Sequence, residues 1–287
     1  MGSGMKYICA ICVCAVHLLA VAGCGFGSFE AKTDAPAAVP SVTEAKPDPV
    51  TLAMRGVRSD DVKFVVPEGI SVLMYHKVGP EADNDAVIRE DLFKAQLKYL
   101  ADNGYHPLTL DELYTYVTEG KAVPEKPVVL TFDDGYADTY TIVYPLLRQY
   151  GFPATVFVNP GDIGTRLTWE QLREMHDGGV TISNHTFDHV EMNTLSPAEQ
   201  ERNIVRAQEA LKRELGIDNS WLCYPYGEHD ADTMAIAERV GIKMAFDMAQ
   251  GRTAQGQNPY ELRRVWVGNS VDIENFKERV NGDGFLR

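Results

Sequence analysis

In the stretch PVVLTFDDGY, residues 127–136, an apolar run typical of a β-strand ends directly at two aspartates. Successive side chains of a strand point to opposite faces, but Gly135 permits an immediate turn, so Asp133 and Asp134 can both reach one cavity. Two buried carboxylates repel each other unless a cation or a proton relieves the charge. The stretch therefore indicates either a metal site at a strand end or an ordinary Asp-Gly turn with a helix cap.

The same alternation of apolar runs and polar ends extends along the chain from about residue 67. Seven runs predict strands: Ile70–Tyr75, Val128–Phe132, Ala154–Val158, Val180–Ser183, Trp221–Tyr224, Met244–Phe246 and Val265–Val267. Amphipathic stretches predict helices between them: Asp91–Asn103, Leu110–Thr118, Asp138–Tyr150, Trp169–Asp177, Pro197–Glu214 and Asp230–Val240. Strands that alternate with helices imply a parallel sheet. Seven predicted strands favour an α/β fold of the barrel type over a six-strand open sheet. The expected architecture is a distorted, TIM-barrel-like (β/α) barrel of about seven parallel strands.

Polar residues directly follow five of the predicted strands, namely His76, Asp133 with Asp134, Asn159, His185 and Tyr226. The carboxyl ends of parallel strands meet at one edge of a barrel, and α/β barrels carry their active sites at that edge. Polar residues with unrelated structural roles would not be expected to lie at the same edge of the barrel. The pattern therefore predicts an active site there.

Two histidines four residues apart, His185 and His189, occur in the stretch SNHTFDH. On a helical turn this spacing places both imidazoles on one face, as in many zinc sites, although two ordinary surface histidines are the alternative. Two imidazoles and one carboxylate make three ligands, the number that catalytic zinc sites use while leaving a position for water. The second aspartate then stays free to act as a base.

Three motifs now carry a family resemblance: TFDDGY at 131–136, HTFDH at 185–189 and YPYG at 224–227. In order and separation they resemble the first three motifs of the polysaccharide deacetylases, carbohydrate esterase family 4, over residues 70 to 280. The stretches LMYHKV at 73–78 and LTW at 167–169 resemble the branch of bacterial poly-β-1,6-N-acetylglucosamine deacetylases. The resemblance implies a hydrolase that removes N-acetyl groups from an extracellular amino-sugar polysaccharide and releases acetate.

The resemblance also implies roles for individual residues. Asp133 would be the general base, and Asp134, His185 and His189 would bind one divalent metal ion. Zinc is the expected metal, although such ligands also suit cobalt, nickel, manganese or iron. The backbone N–H of Tyr226 would face the oxyanion of the transition state.

Two departures from the family pattern concern the groups around the base. Cys223 stands where much of the family has an arginine, two residues before the motif's proline. Arg264, rather than its neighbour Arg263, is expected to orient Asp133 instead, with a surface salt bridge as the alternative.

The second departure concerns the general acid. The late Leu-x-His motif is missing because no histidine follows His229. His76 and His229 are therefore the candidates for this role, and a structural histidine is the alternative at each position.

The N-terminal part predicts export. Residues 1–24 are typical of a lipoprotein signal peptide, with an apolar run at 7–23 and a lipobox, VAGC, that would place a lipid on Cys24. An uncleaved membrane anchor is the alternative, and Cys9-x-x-Cys12 lies inside the apolar run. Residues 25–66 are Pro-punctuated and predict a flexible tether spanning about 35 Å. Residues 67–287 form the predicted catalytic domain.

The net charge limits the classes of partner that the protein is expected to bind. A net charge of −14 and a pI near 4.9 argue against a nucleic-acid surface, which needs clustered Lys and Arg. We expect a polysaccharide substrate, a monomer, and a location outside the cytoplasm, either lipid-anchored to the outer face of a bacterial membrane or secreted. The other functions that fit the sequence are peptidoglycan N-acetylglucosamine deacetylation, O-deacetylation of xylan-like esters, and a catalytically silent carbohydrate-binding lipoprotein.

Overall fold

The structure, a computed structural model, describes residues 62–81 and 83–282. The predicted signal peptide at 1–24 and nearly all of the predicted tether at 25–66 lie outside the described residues. Phe64–Val65 is already a short strand, paired with Val123–Pro124, so the folded part begins slightly before the expected boundary at residue 67. In the described part of the chain, no helix combines the length and apolarity that crossing a membrane requires.

Seven parallel strands close into a barrel, which confirms the predicted fold. They are β1 (Ser71–Tyr75), β2 (Pro127–Phe132), β3 (Thr155–Val158), β4 (Thr181–Asn184), β5 (Trp221–Cys223), β6 (Met244–Gln250) and β7 (Leu262–Trp266). The spatial order is β1-β7-β6-β5-β4-β3-β2, and β2 pairs with β1 to complete the ring. Each strand overlaps one of the seven predicted runs. The seventh begins three residues earlier than expected, and this shift brings Arg264 into the barrel wall.

Seven α-helices accompany the barrel in the described residues. They are α1 (Glu90–Asp102), α2 (Leu110–Glu119), α3 (Tyr144–Tyr150), α4 (Trp169–Asp177), α5 (Pro197–Leu215), α6 (Ala231–Arg239) and α7 (Ile273–Val280). Short strands occur at His106–Pro107, which pairs with β2, and at Lys77–Val78, which pairs with Val87–Ile88. Single 3₁₀ turns lie at Pro160–Asp162, Met192–Thr194 and Pro225–Gly227. The helix α7 was not predicted from the sequence.

The predicted helix over 138–150 is divided into two parts. Thr139–Val143 forms a π-helical turn, and α3 begins only at Tyr144. Pro145 explains the division, because a proline has no N–H to donate to the carbonyl four residues earlier and therefore interrupts an α-helical ladder.

The side chains of β2 alternate between two parts of the core. Leu130 and Phe132 pack in the cluster that includes α1 and α4, whereas Val129 belongs to the cluster formed with inward residues of the other strands. Because side-chain direction alternates along a strand, Thr131 and Asp133 share the inward face of Val129. The strand thus aims Asp133 into the carboxyl end of the barrel interior.

Candidate active site

The carboxylate of Asp133 is held by a buried arginine. Arg264 reaches across the barrel from β7, with Nη1 2.8 Å from Oδ1 and Nη2 2.8 Å from Oδ2 of Asp133. Both side chains are almost fully buried, at 0% and 2% exposure. Burial alone would raise the pKa of Asp133, but the guanidinium outweighs it and holds that pKa below its usual value. Asp133 is therefore an ionised carboxylate in a fixed orientation.

The remaining donors of Arg264 are also engaged. Its Nε donates to the carbonyl of Asp247 at 3.0 Å, and Nη1 donates to Thr131 Oγ1 at 3.3 Å. Breaking such a buried charge pair typically costs about 3–5 kcal/mol, because the remaining charge has no partner. Arg264, which the sequence singled out, thus contacts Asp133, whereas Arg263 is exposed.

Cys223 fills the position where the family's arginine was expected. Its Sγ lies 3.0 Å from Nη2 of Arg264 and 3.5 Å from Oδ2 of Asp133. Burial raises the pKa of the Cys223 thiol, so the side chain is neutral. A small neutral residue at the end of β5 leaves room for the guanidinium that enters from β7.

A second cluster lies beside this pair and contains the three predicted metal ligands. Asp134 Oδ1 lies 3.3 Å from Nε2 of His185 and 3.0 Å from Nε2 of His189. Burial alone would raise the pKa of Asp134, but the two imidazoles lower it well below its usual value. Asp134 Oδ1 is buried, and no described residue donates a conventional hydrogen bond to it.

The donor set fits a divalent metal ion. The ligand atoms of Asp134, His185 and His189 all lie within 4.8 Å of one another. His185 uses Nδ1 to donate to the carbonyl of Cys223 at 2.8 Å, which leaves Nε2 facing the cluster, as metal-binding histidines require. Asp133, His185 and Cys223 are equally close together, but Asp133 is already neutralised by Arg264. The first trio is therefore the better cation site.

The expectation that both histidines lie on a helical turn is wrong. The loop after β4 carries them, and Thr186 and His189 have φ values of +63° and +51°. Such left-handed residues cannot continue a right-handed helix. The loop still brings the two rings to a centroid distance of 5.0 Å, so the ligands converge by a different route.

The turn at Asp134 is supported by a residue that the sequence reading missed. Asp134 has a φ of +71°, and Gly135 follows at +62°. Arg166, from the loop after β3, donates to the carbonyl of Asp134 at 3.0 Å and lies over the ring of Tyr136 at 4.4 Å. No sequence signal marked Arg166, because its partner lies 32 residues earlier in the chain.

The two candidate acids are separated by the structure. His76 Nε2 lies 3.8 Å from Oδ2 of Asp133, and burial lowers the pKa of His76 although Asp133 raises it in part. His229 instead stacks on Tyr224 at 4.5 Å and has Nε2 3.6 Å from a carboxylate oxygen of Glu261. His76 is therefore the candidate in contact with the base.

Tyr226 lies at the rim of the metal cluster. It belongs to the 3₁₀ turn Pro225–Gly227, has a φ of +59°, and its ring centroid is 4.8 Å from that of His189. The ring is 56% exposed, although exposed aromatic side chains are uncommon in the described part of the molecule. The turn thus places the ring of Tyr226 against that of His189 at the mouth of the barrel.

A closed parallel barrel with an Asp-His-His cluster and an arginine-held aspartate at its carboxyl edge is an arrangement typical of barrel enzymes, with a candidate metal site among its polar residues. Residues 120–245 match the family model described as polysaccharide deacetylase. The Bacillus subtilis (strain 168) protein YxkH, whose name assigns it to the polysaccharide deacetylases, is 32% identical over 263 residues, which cover 90% of this chain and 92% of YxkH. The chain therefore belongs to the polysaccharide deacetylase family.

Two further comparisons agree with this assignment. The structure of Streptococcus pyogenes deacetylase PplD in complex with acetate superimposes with a TM-score of 0.71 and 28% identity, covering 75% of this chain and 99% of PplD. The poly-β-1,6-N-acetyl-D-glucosamine N-deacetylase of Escherichia coli (strain K12) is 25% identical over 259 residues, 74% of this chain. This chain spans only 38% of the length of that enzyme.

Proposed function

We propose that this protein is a metal-dependent N-deacetylase of an extracellular N-acetylglucosamine polysaccharide. The observation that carries the proposal is the placement of the Arg264-held Asp133 directly beside the cluster of Asp134, His185 and His189. A catalytically silent carbohydrate-binding protein would not need to keep an ionised base and a complete set of metal ligands. Zinc is the proposed metal, because one carboxylate and two imidazoles are a common zinc ligand set.

The chain's own residues have distinct roles in the proposed reaction. Asp134, His185 and His189 would hold a divalent metal, whose Lewis acidity would polarise the acetyl carbonyl and lower the pKa of a water molecule toward about 7. Asp133 accepts a proton from the attacking water, and Arg264 keeps its carboxylate aimed at that water. The N–H of Tyr226 donates to the developing oxyanion, an interaction typically worth about 3–4 kcal/mol. Asp133 passes its proton to His76, whose Nε2 lies 3.8 Å from Oδ2 of Asp133. His76 then donates this proton to the departing amine as the carbon–nitrogen bond breaks, giving a free amino sugar and acetic acid, which ionises to acetate.

We further propose β-1,6-linked N-acetylglucosamine polymer as the substrate. The likeness of LMYHKV and of Arg264 to that branch supports it, as does the match to the Escherichia coli enzyme. Peptidoglycan N-acetylglucosamine is the rival substrate of the same reaction.

The proposed location is the outer face of a membrane, reached through a lipid on Cys24 and the tether at 25–66. Phe64–Val65 pairs with Val123–Pro124, which is separated by two residues from the start of β2 at Pro127. The preceding chain therefore joins the barrel at its amino edge, while the catalytic residues lie at the carboxyl edge.

Acetate release from matched oligomers of the two linkages tests this proposal. We expect kcat/KM to favour β-1,6-linked N-acetylglucosamine oligomers over peptidoglycan fragments, because this ratio reports differential transition-state binding. A tenfold preference corresponds to about 1.4 kcal/mol. A tenfold preference for peptidoglycan fragments would reassign the substrate and leave the reaction class intact. No acetate from either oligomer would refute the proposed activity on these polymers.

Replacing His76 with glutamine is expected to lower kcat by about 10²-fold, since a positioned general acid contributes at least this much. The metal content should not change, because His76 contacts Asp133 rather than the trio. His229→Gln is the matched control and should stay within about threefold of the wild type. If the two variants lose activity equally, the role of His76 as the acid is wrong.

A further inference from the structure

We infer that Asn159, Asn184 and Asn203 form an amide cradle that fixes the loop carrying His185 and His189 and thereby sets the affinity of the site for its metal. The inference deepens the proposed metal-dependent function of the same site. The three asparagines act through the backbone of the loop, so they are positioning residues.

The loop needs external support because of its backbone conformation. Thr186 and His189 both adopt the left-handed region, which residues with a Cβ rarely occupy unless the surroundings enforce it. The loop lies between the end of β4 and the 3₁₀ turn Met192–Thr194, outside any regular ladder of backbone hydrogen bonds. Two of its backbone groups bond to neighbouring backbone, since the N–H of His185 donates to the carbonyl of Val158 at 3.0 Å and the carbonyl of Phe187 accepts the N–H of Gly161 at 3.1 Å. Buried N–H and C=O groups must nevertheless find partners.

Two asparagines at strand ends supply part of this support. Asn159 follows β3, is 1% exposed, and donates from Nδ2 to the carbonyls of His185 at 2.5 Å and Thr186 at 3.4 Å. Asn184 is the last residue of β4, and its Oδ1 accepts the N–H of Thr186 at 2.7 Å. Its Nδ2 donates to the carbonyl of Ile204 at 3.1 Å, which ties the loop to α5.

Asn203 on α5 holds the middle of the loop. Its Oδ1 accepts the N–H of Phe187 at 2.6 Å and the N–H of Asp188 at 3.1 Å. Its Nδ2 donates to a carboxylate oxygen of Asp188 at 3.2 Å. One turn later on the same helix, Arg206 lies 3.8 Å from the ring centroid of Phe187 and 3.3 Å from the same oxygen of Asp188.

The amide group suits this task because it offers both a donor and an acceptor without a charge. The three amides together bond to the backbone of four consecutive residues, 185–188, immediately before the second ligand. Partners that orient metal ligands typically contribute 10–100-fold to metal affinity. The cradle is therefore expected to act on the dissociation constant of the metal.

The test measures Zn²⁺ binding to the metal-free protein by competition with a chelating indicator, so that catalysis does not enter the readout. Asn203→Leu keeps the approximate size of the side chain but removes its acceptor and donor. We expect a dissociation constant for Zn²⁺ about 10–100-fold weaker than that of the wild type. The thermal midpoint of each metal-free variant is recorded to verify that it is folded.

Gln208→Leu on the same helix is the matched control. Gln208 donates to the carbonyls of Asn219 and Val240, both remote from the histidine loop. Its removal should lower stability by a similar mechanism but leave the dissociation constant for Zn²⁺ within about threefold of the wild type. An equal weakening in both variants would show a general loss of stability and overturn the inference.

A rescue variant tests the hydrogen bonds themselves. In Asp188→Asn/Asn203→Asp the two side chains exchange their groups, so residue 203 still accepts both N–H groups and residue 188 donates to it. We expect Zn²⁺ affinity within about threefold of the wild type. Wild-type affinity in Asn203→Leu, or an unrescued exchange variant, would overturn the cradle. If Zn²⁺ affinity depends on the cradle but the protein releases no acetate, only the proposed activity is refuted.

Discussion

Replacing Asp133 with asparagine is expected to lower kcat by about 10²–10⁴-fold, the usual contribution of a general base. The substitution keeps the shape of the side chain but removes the negative charge that accepts the proton. The metal content should stay near that of the wild type, because the trio of Asp134, His185 and His189 is complete without Asp133. Steady-state acetate release and metal analysis of the same preparation measure the two effects separately.

The Asp133→Asn variant also loses the partner of a buried guanidinium, so its stability must be measured beside its activity. Breaking the pair with Arg264 should cost about 3–5 kcal/mol of unfolding free energy. Asp138→Asn is a suitable control, since the buried Asp138 carboxylate accepts the N–H of Val78 at 2.7 Å, a bond that an amide oxygen can keep. Activity of Asp133→Asn within about threefold of the wild type would assign the base role to another residue.

The double variant His185→Ala/His189→Ala is expected to abolish both metal binding and activity. One carboxylate remains of three ligands, and a single carboxylate does not hold a transition metal in competition with water. Metal analysis after purification without chelator should fall from about one equivalent to below about a tenth. Acetate release should fall with it, because the remaining groups cannot activate water at neutral pH.

The single variant His176→Ala provides the comparison for that loss. His176 is an exposed residue of α4, so its removal tests whether surface histidines bind metal adventitiously. Its metal content should equal that of the wild type. Near-wild-type metal in the double variant would show that the site lies elsewhere.

The barrel was predictable because each of its strands overlaps a short apolar run, and five of these runs are followed by polar residues. PVVLTF shows this most clearly, since β2 covers those same residues, 127–132. The helix α7 escaped prediction because its buried face rests on few residues, chiefly Phe276 and Val280. The π-helical turn before α3 escaped as well, although Pro145 offered a usable signal.

The grouping of Asp134, His185 and His189 was also predictable, but not the backbone conformation that brings them together. A spacing of four residues brings His185 and His189 together in a helix and in this loop, so the spacing alone cannot distinguish the two. The loop between the two histidines is held by partners such as Asn203, which bonds to Phe187 and Asp188 and lies on a helix 14 residues after His189. Such contacts between segments that are distant in the chain produce no repeating pattern in the sequence, so they could not be predicted from it.

The contact between Arg264 and Asp133 was only partly predictable from the sequence. The two residues are 131 positions apart, and only the family resemblance linked them before the structure was considered. Register explains why Arg264 rather than Arg263 makes the contact. Leu262 belongs to the inward cluster, so the alternation along β7 directs residue 264 inward and residue 263 outward.

Cys223 gives this active site an internal reporter of local opening. It is the sole cysteine after Cys24, and its thiol is fully buried against the pair of Arg264 and Asp133. Because reagents attack the thiolate and need access to it, alkylation of a protein that begins after Cys24 can proceed only when the end of β5 opens. The labelling rate therefore reports how often the buried surroundings of Cys223, Arg264 and Asp133 open, and a ligand that binds only the closed form should slow it.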